Sequence, residues 1–153
     1  MYQIERVAAS SDLAAVTRRL LNGLPEWFGI AEANDEYVES ATRLSGYLAR
    51  ENDDVVGLLL MNRHFPEAAE IHLITVTRDR HRRGIGRALL ATAEADLRLE
   101  GCRLLQVKTL GESHPDPGYD KSRKFYLASG FLRVEEISDL WDENPCLILV
   151  KPL

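Results

Sequence analysis

The turn between a short apolar run and the helix after it constrains this chain more than any other feature. Residues 71–76 are typical of a strand, residues 85–99 are typical of a helix, and the turn between them contains Gly84 and Gly86. The first amides of a helix have no acceptor within it and lie at the positive end of its dipole. Glycines without a Cβ let an oxyanion approach that backbone. The turn therefore predicts an anion site, and the five arginines from Arg78 to Arg87 favour a pyrophosphate.

Two common phosphate-binding motifs do not fit this turn. A P-loop needs a Gly-Lys-Ser or Gly-Lys-Thr string after its first glycine, and the chain contains no such string. A dinucleotide fingerprint needs a third glycine where Leu89 stands, and no early βαβ unit precedes the turn. The sequence therefore predicts a phosphate site of another type.

The length and charge of the chain argue against several classes of protein. With 153 residues, 45% of them hydrophobic, residues 1–153 fit a single domain with one core. No apolar run approaches the ~20 residues that span a bilayer, and no signal peptide is visible. We therefore expect a cytoplasmic protein without membrane contact. A net charge of −5 argues against broad nucleic-acid binding and leaves a local patch at the arginines as an alternative. Cys102 and Cys146 lack the spacing of a metal site, and we expect reduced thiols.

Hydrophobic periodicity and turn residues divide the chain into elements in the order β-α-α-β-β-β-α-β-α-β-β. Ser10 or Ser11 can cap the first helix and Asn34 the second, while Gly101 and Gly130 can end the third and fourth. This order predicts an α/β (α+β) domain. Helices are expected at about residues 11–22, 34–44, 85–99 and 119–129, and strands at about 2–8, 47–50, 55–62, 70–76, 103–108, 131–137 and 146–150.

Two stretches of sequence resemble motifs of one enzyme family. The residues from His81 to Gly86 resemble motif A of the Gcn5-related N-acetyltransferases (GNAT), Gln/Arg-x-x-Gly-x-Gly/Ala, with His81 at the first position. The residues from Tyr119 to Phe131 resemble motif B, Asn-x-x-Ala-x-x-Phe-Tyr-x-x-x-Gly-Phe, with Tyr119 at the Asn position and Ser122 at the Ala position. The two motifs also follow the family's order along the chain.

The resemblance implies a fold and an activity. The fold is that of GNAT acyl-CoA N-acyltransferases, a mixed central sheet of about seven strands flanked by about four helices. The activity is transfer of an acetyl group from acetyl-CoA, without a metal ion, to a small-molecule or peptide amine that attacks directly in a ternary complex. Dimers are common in the family, so the resemblance leaves a homodimer open as one possible oligomeric state. A non-catalytic module that binds or senses coenzyme A remains the alternative.

The resemblance also implies which residues hold acetyl-CoA. Amides of the glycine turn would hold the pyrophosphate, and the main chain of the fourth strand would bond the pantetheine arm as an added strand does. An amide near Ile74 would also bond the thioester carbonyl. The implied cofactor-binding residues are Ile74, Thr75, Val76, Arg82, Arg83, Gly84, Ile85, Gly86, Arg87 and Tyr126.

Tyr126 and Glu70 are the implied catalytic residues. A phenol with a pKa near ~10 stays protonated at pH 7 and can protonate the departing thiolate; otherwise Tyr126 is a core tyrosine whose hydroxyl bonds the backbone. Glu70 lies 14 residues before Gly84, the separation at which the family's histone-acetylating branch places its general base. His72 and water remain alternative bases. Strand alternation, unless a bulge breaks it, places on one face Glu70, His72, Ile74 and Val76.

The acceptor site is assigned less sharply. The loop from Lys108 to Asp120 is long for a β–α connection, which favours a binding role. The family's first helices usually wall the acceptor, so aromatic residues there are candidates as well. The candidate contact residues are Trp27, Phe28, Tyr37, Ser113, His114 and Tyr119, whereas His64 and Trp141 are interpreted as structural.

Overall fold

The computed structural model describes residues 2–114, 116–141 and 144–153, and its elements follow the predicted order. One sheet contains seven strands in the order β1-β2-β3-β4-β5-β7-β6, and only β4 and β5 pair in parallel. The predicted mixed sheet with four helices is confirmed. The strands are β1 (Tyr2–Val7), β2 (Gly46–Glu51), β3 (Asp54–Phe65), β4 (Ala68–Val76), β5 (Leu104–Leu110), β6 (Leu132–Ile137) and β7 (Cys146–Pro152); the helices are α1 (Ser11–Asn22), α2 (Ala31–Ser40), α3 (Ile85–Leu99) and α4 (Pro117–Ala128).

Helices cover both faces of the sheet. α1 and α2 pack on one face, in a buried cluster that contains Leu58 and Leu73. α3 packs on the other face, in a cluster that contains Leu59 and Ile71. α4 lies on the α3 side, because Tyr126 belongs to the same cluster. None of the described helices is long and apolar enough to cross a membrane.

Two helices begin earlier than predicted. α2 starts at Ala31, and Asn34 does not cap it; the Asn34 side-chain amide instead donates to the carbonyl of Phe28 at 2.6 Å. α4 starts at Pro117 because the Asp116 carboxylate accepts from the amides of Gly118 and Tyr119 at 2.9 and 3.2 Å. An aspartate cap followed by proline is a strong signal for a helix start. Here it starts the helix at Pro117, two residues before the predicted start at Tyr119.

The strands β4 and β5 separate in the middle of the sheet. Their parallel pairing runs only from Ala68 opposite Leu104 to Ile71 opposite Val107, although β4 continues to Val76. Beyond Ile71, the β5 side of β4 has no strand partner in the described part of the chain. A V-shaped gap therefore opens between the two strands at the end of β4.

A bulge in β4 changes which side chains share a face. Met61 on β3 pairs with Ile71, and Leu60 pairs with Leu73, so His72 is an extra residue in β4. Leu73 consequently packs on the α1/α2 face, whereas Ile74 and Val76 pack toward α3. The predicted common face holds for Glu70 with His72 and is wrong for Ile74 and Val76.

Candidate active site

The bend before α3 has an unusual backbone. Arg82 has φ of 64° and Gly84 has φ of 79°, so both are left-handed, a conformation that costs a residue with a Cβ. The His81 ring fixes the start of the bend by donating from Nε2 to the carbonyl of Val76 at 2.7 Å. Gly84 caps α3 without a side-chain hydrogen bond. This backbone directs the first amides of α3 toward solvent.

Those amides have no hydrogen-bond acceptor within the part of the chain that the structure describes. The first residue of this region whose amide finds a backbone acceptor is Ala88, which donates to Gly84 at 3.0 Å. From Arg82 to Arg87, no amide has an acceptor among residues 2–114, 116–141 and 144–153. The bend is exposed except for Ile85, which is buried, and Gly86, which is half-buried. Such a helix N-terminus is a site that an anion can occupy.

The arginine cluster is partly neutralised. Arg78 is paired with Glu26, and Arg80 is paired with Glu51 and Asp79. The other three arginines of the bend are exposed and have no carboxylate partner in the described ranges. The charge free for a multiply charged ligand is therefore carried by Arg82, Arg83 and Arg87.

The bend leads into the gap beside β4. A Cβ placed on Gly86 would lie 3.5 Å from the Phe125 ring and 3.9 Å from Val76 Cγ2, which is ordinary contact distance. The Thr77 amide donates to Val56 on β3 at 2.9 Å, so by alternation the backbone of Thr75 also faces β3. The main chains of Ile74 and Val76 therefore face the gap, and Thr75 does not, contrary to expectation.

Tyr126 lies on α4, in the buried cluster on the α3 face of the sheet. Its side chain is 6% exposed and packs edge-on against Phe125 and Phe131, with ring centroids 5.4 and 5.6 Å away. Its hydroxyl has no hydrogen-bond partner among the described residues. Burial, and then the nearby phenols of Tyr37 and Tyr119, raise the pKa of Tyr126 well above its ordinary value. The hydroxyl is thus protonated at neutral pH and free to donate.

Glu70 is buried and already has two partners. Its carboxylate Oε1 lies 2.6 Å from His64 Nε2, and its Oε2 lies 3.5 Å from Lys108 Nζ. Sequence reasoning assigned no site role to either partner. The β3–β4 register pairs Asn62 with Glu70, which brings His64 diagonally close. Lys108 lies on the neighbouring strand β5, a contact that no local pattern predicts.

His72 lies on the same face as Glu70 and contacts α2. Its Nε2 is 3.0 Å from Ser40 Oγ, and its ring packs edge-on against Tyr37 at 5.4 Å. Burial lowers the pKa of His72, partly offset by the negative charges of Glu70 and Glu36. The ring is therefore neutral at pH 7 and can accept a proton.

Aromatic residues of the loop between α1 and α2 close one side of this region. Phe28 packs edge-on against Tyr37 at 6.1 Å, and Trp27 against His81 at 5.6 Å. The Tyr119 hydroxyl donates to the carbonyl of Trp27 at 2.9 Å. The structure thus brings together the predicted residues Trp27, Phe28, Tyr37, Tyr119, Tyr126, Glu70 and His72.

The remaining loop candidates lie elsewhere. Ser113 and His114 are exposed, and the Ser113 amide donates to Glu136 at 3.2 Å, away from Glu70. Pro115, within the same predicted loop, lies outside the described residues. In the ranges that the structure describes, no group of three or more His, Cys, Asp or Glu side chains could hold a metal ion.

Comparison with known proteins gives one family. The acetyltransferase (GNAT) family model matches residues 15–131. A GNAT-family protein from Desulfovibrio desulfuricans superposes with a TM-score of 0.85 at 23% identity, covering 99% of both chains. A GNAT acetyltransferase from Elizabethkingia anophelis with acetyl-CoA bound has a TM-score of 0.74 at 19% identity, covering 99% of this chain and 98% of its own. The ribosomal-protein-S18-alanine N-acetyltransferase of Escherichia coli has a TM-score of 0.79 at 15% identity, covering 99% and 94%.

No curated protein sequence matches the chain. The structural likenesses, all below 25% identity, show a shared fold. The family model covers more than half of the chain, including the bend and α4. This chain belongs to the acetyltransferase (GNAT) family.

Proposed function

We propose that this protein moves an acetyl group from acetyl-CoA to a primary amine by direct attack within a ternary complex. The observation that carries the proposal is the run of amides from Arg82 to Arg87 that have no acceptor among the described residues. Gly86 in that run lies beside Phe125 of α4 and Val76 at the end of β4. The exposed amides suit a diphosphate, and the free arginines add attraction for it. The gap suits an extended thioester arm, because the main chain of Ile74 and the amide of Val76 face it for strand-like hydrogen bonds, while the Val76 carbonyl accepts from His81.

The side chains around the gap supply the proton transfers. The amine first loses a proton to a base on the face of β4 that carries Glu70 and His72. Its lone pair then attacks the thioester carbon. The amide of Ile74 stabilises the oxyanion that forms. As the carbon–sulfur bond breaks, Tyr126 gives its proton to the thiolate, and the second N–H proton of the adduct replaces the one that Tyr126 loses.

The site limits the acceptor to an amine that reaches between two walls. One wall is the aromatic loop with Trp27 and Phe28, and the other is the start of α4 with Tyr119. Glu70 and Glu36 place negative charge near the bottom, since both raise the pKa of His72. These features favour a cationic primary amine on a small molecule or on a peptide end.

Calorimetry and a thiol-release screen test the proposal. Acetyl-CoA should bind the purified protein with a Kd below about 1 mM. At least one amine from a panel of spermidine, kanamycin, free lysine and an alanine-initiated peptide should release coenzyme A. Binding without thiol release for every amine would support a sensor module instead. A wild-type protein that does not bind acetyl-CoA would overturn the proposal.

A further inference from the structure

Ser40, at the end of α2, holds a buried contact with the imidazole of His72. We infer that His72 accepts the amine proton at Nδ1 and that Ser40 is a positioning residue that holds the imidazole in the tautomer this requires. The inference rests on the proposed acetyl transfer and names the proton acceptor within that site. Ser40 is 1% exposed, so water does not compete for this hydrogen bond.

The contacts of the Ser40 hydroxyl favour one direction for its bond with His72. The Ser40 hydroxyl has one hydrogen and donates it to the carbonyl of Glu36 at 2.8 Å. Arg43 Nη2, 3.4 Å from the same oxygen, can only donate. Ser40 Oγ is therefore an acceptor toward His72, and His72 Nε2 carries the hydrogen. The lone pair of the neutral ring is then on Nδ1, which has no partner in the described residues.

The titratable groups around the ring suit a group that gains and loses a proton. α2 contributes Glu36 and Tyr37, the turn after it contributes Arg43, β4 contributes Glu70, and β5 contributes Lys108. Burial is the largest influence and favours the neutral ring, while Glu70 and Glu36 stabilise the imidazolium once it forms. The Nε2–H bond to Ser40 is present in both states, so protonation at Nδ1 breaks no contact.

Glu70 is less suited to take the proton itself. Both of its oxygens face donors, His64 Nε2 at 2.6 Å and Lys108 Nζ at 3.5 Å. Its side chain is 10% exposed, whereas His72 is half-buried and has a free ring nitrogen. Glu70 thus acts through its charge on the imidazolium, without a hydrogen bond to it, and not by contact with the amine.

Nitrogen NMR reads the tautomer without any turnover. Long-range ¹H–¹⁵N spectra of the full chain at pH 8, assigned with His72→Asn, should show His72 protonated at Nε2. In Ser40→Ala the two tautomers should mix. Ser129→Ala is the matched control, because Ser129 also donates to a helix carbonyl, that of Phe125 at 2.8 Å, and does not contact a histidine. A wild-type ring protonated at Nδ1, or a Ser129→Ala effect equal to that of Ser40→Ala, would overturn the inference.

Kinetics with the best amine of the panel give a second test. His72→Asn should lower kcat about 100-fold with acetyl-CoA affinity unchanged. Ser40→Ala should lower kcat several-fold and move the acidic limb of the pH profile to lower pH, because the imidazolium loses an acceptor for Nε2–H. Glu70→Gln should move the same limb to lower pH and retain it. A His72→Asn enzyme that keeps the acidic limb would overturn the inference while leaving acetyl transfer intact. Failure of the wild type to bind acetyl-CoA would instead overturn the proposed function.

Discussion

The Tyr119 hydroxyl donates to the main-chain carbonyl of Trp27 at 2.9 Å, which joins the start of α4 to the loop between α1 and α2. The two segments also pack closely, since a Cβ on Gly118 would come within 2.9 Å of the Trp27 indole nitrogen. The two segments are those that the proposed function assigns to the acceptor, so this hydrogen bond should hold the proposed acceptor site in shape.

Removing this hydrogen bond should affect the acceptor more than the donor. Tyr119→Phe should lower the free energy of unfolding by about 1 kcal/mol and raise the acceptor KM about 5-fold, because the loop with Trp27 gains freedom. The Kd for acetyl-CoA should stay within about 2-fold, since His81 keeps its bond to the Val76 carbonyl and the amides of the bend are unchanged. Urea unfolding measures the free energy of unfolding, steady-state kinetics measure the acceptor KM, and calorimetry measures the Kd for acetyl-CoA. A larger change in acetyl-CoA affinity than in acceptor KM would contradict the proposed position of the acceptor.

A carboxylate at Gly86 should prevent donor binding. Gly86→Glu places charge and bulk between the bend and the gap, where it would repel a diphosphate. Gly86→Ala is the control, because its Cβ meets Phe125 and Val76 only at ordinary contact distance. Both variants should unfold within about 1 kcal/mol of the wild type. Calorimetry should show no acetyl-CoA binding in Gly86→Glu; normal affinity there would remove the bend from the site.

The Tyr126 hydroxyl should matter for turnover and not for donor binding. Tyr126→Phe keeps the ring between Phe125 and Phe131 and removes the proton donor. We expect kcat to fall more than ~10-fold, while the Kd for acetyl-CoA is preserved. Pre-steady-state thiol release isolates the chemical step. Unchanged turnover would return Tyr126 to the role of a core tyrosine.

Arg82 allows backbone conformation and charge to be separated. Its φ of 64° is strained for a residue with a Cβ, so Arg82→Gly should be about 1 kcal/mol more stable than Arg82→Ala. Both variants lose the same charge, so both should bind acetyl-CoA more weakly and with a smaller salt dependence. Thermal unfolding and calorimetry at two salt concentrations distinguish the effects. Equal stability of the pair would show that the bend relaxes without cost.

The raised pKa of Tyr37 should make the free energy of unfolding depend on pH in the alkaline range. Burial, with smaller contributions from Tyr119, Glu36 and Glu70, raises the pKa of Tyr37 to about 12. An unfolded phenol titrates near ~10, so between about pH 10 and 12 the unfolded state binds fewer protons and the free energy of unfolding falls as pH rises. Tyr37→Phe should reduce that slope in urea titrations at pH 9 to 12. Equal slopes would contradict the raised pKa.

Much of the fold could be predicted because it is encoded by short-range signals. The strand before Gly84, the helix after it and the glycine ends of α3 and α4 each follow from a few adjacent residues. The helix starts at Ala31 and Pro117 were missed. At α4 the start signal was present in Asp116 followed by Pro117, but the helix was predicted to start two residues later, at Tyr119. At α2 no side chain caps the start, so the sequence offered no marker.

The site was harder to predict because it depends on long-range contacts. The extra residue at His72 arises from the β3–β4 register, so simple alternation placed Ile74 and Val76 on the wrong face. The contacts of Glu70 with Lys108, and of Tyr119 with Trp27, join segments far apart in the chain. The sequence supplied the candidate residues, but only the packed structure shows which of them meet.

The short β4–β5 ladder has a consequence for the integrity of the sheet. Parallel pairing from Ala68 to Ile71 joins two groups of strands through main-chain hydrogen bonds: β1 to β4 on one side, and β5, β7 and β6 on the other. Beyond Ile71, no strand of the described chain is hydrogen-bonded to the β5 side of β4. In the proposed mode of donor binding, the pantetheine arm would form hydrogen bonds there, so we expect amide exchange in the middle of the sheet to slow when acetyl-CoA is bound.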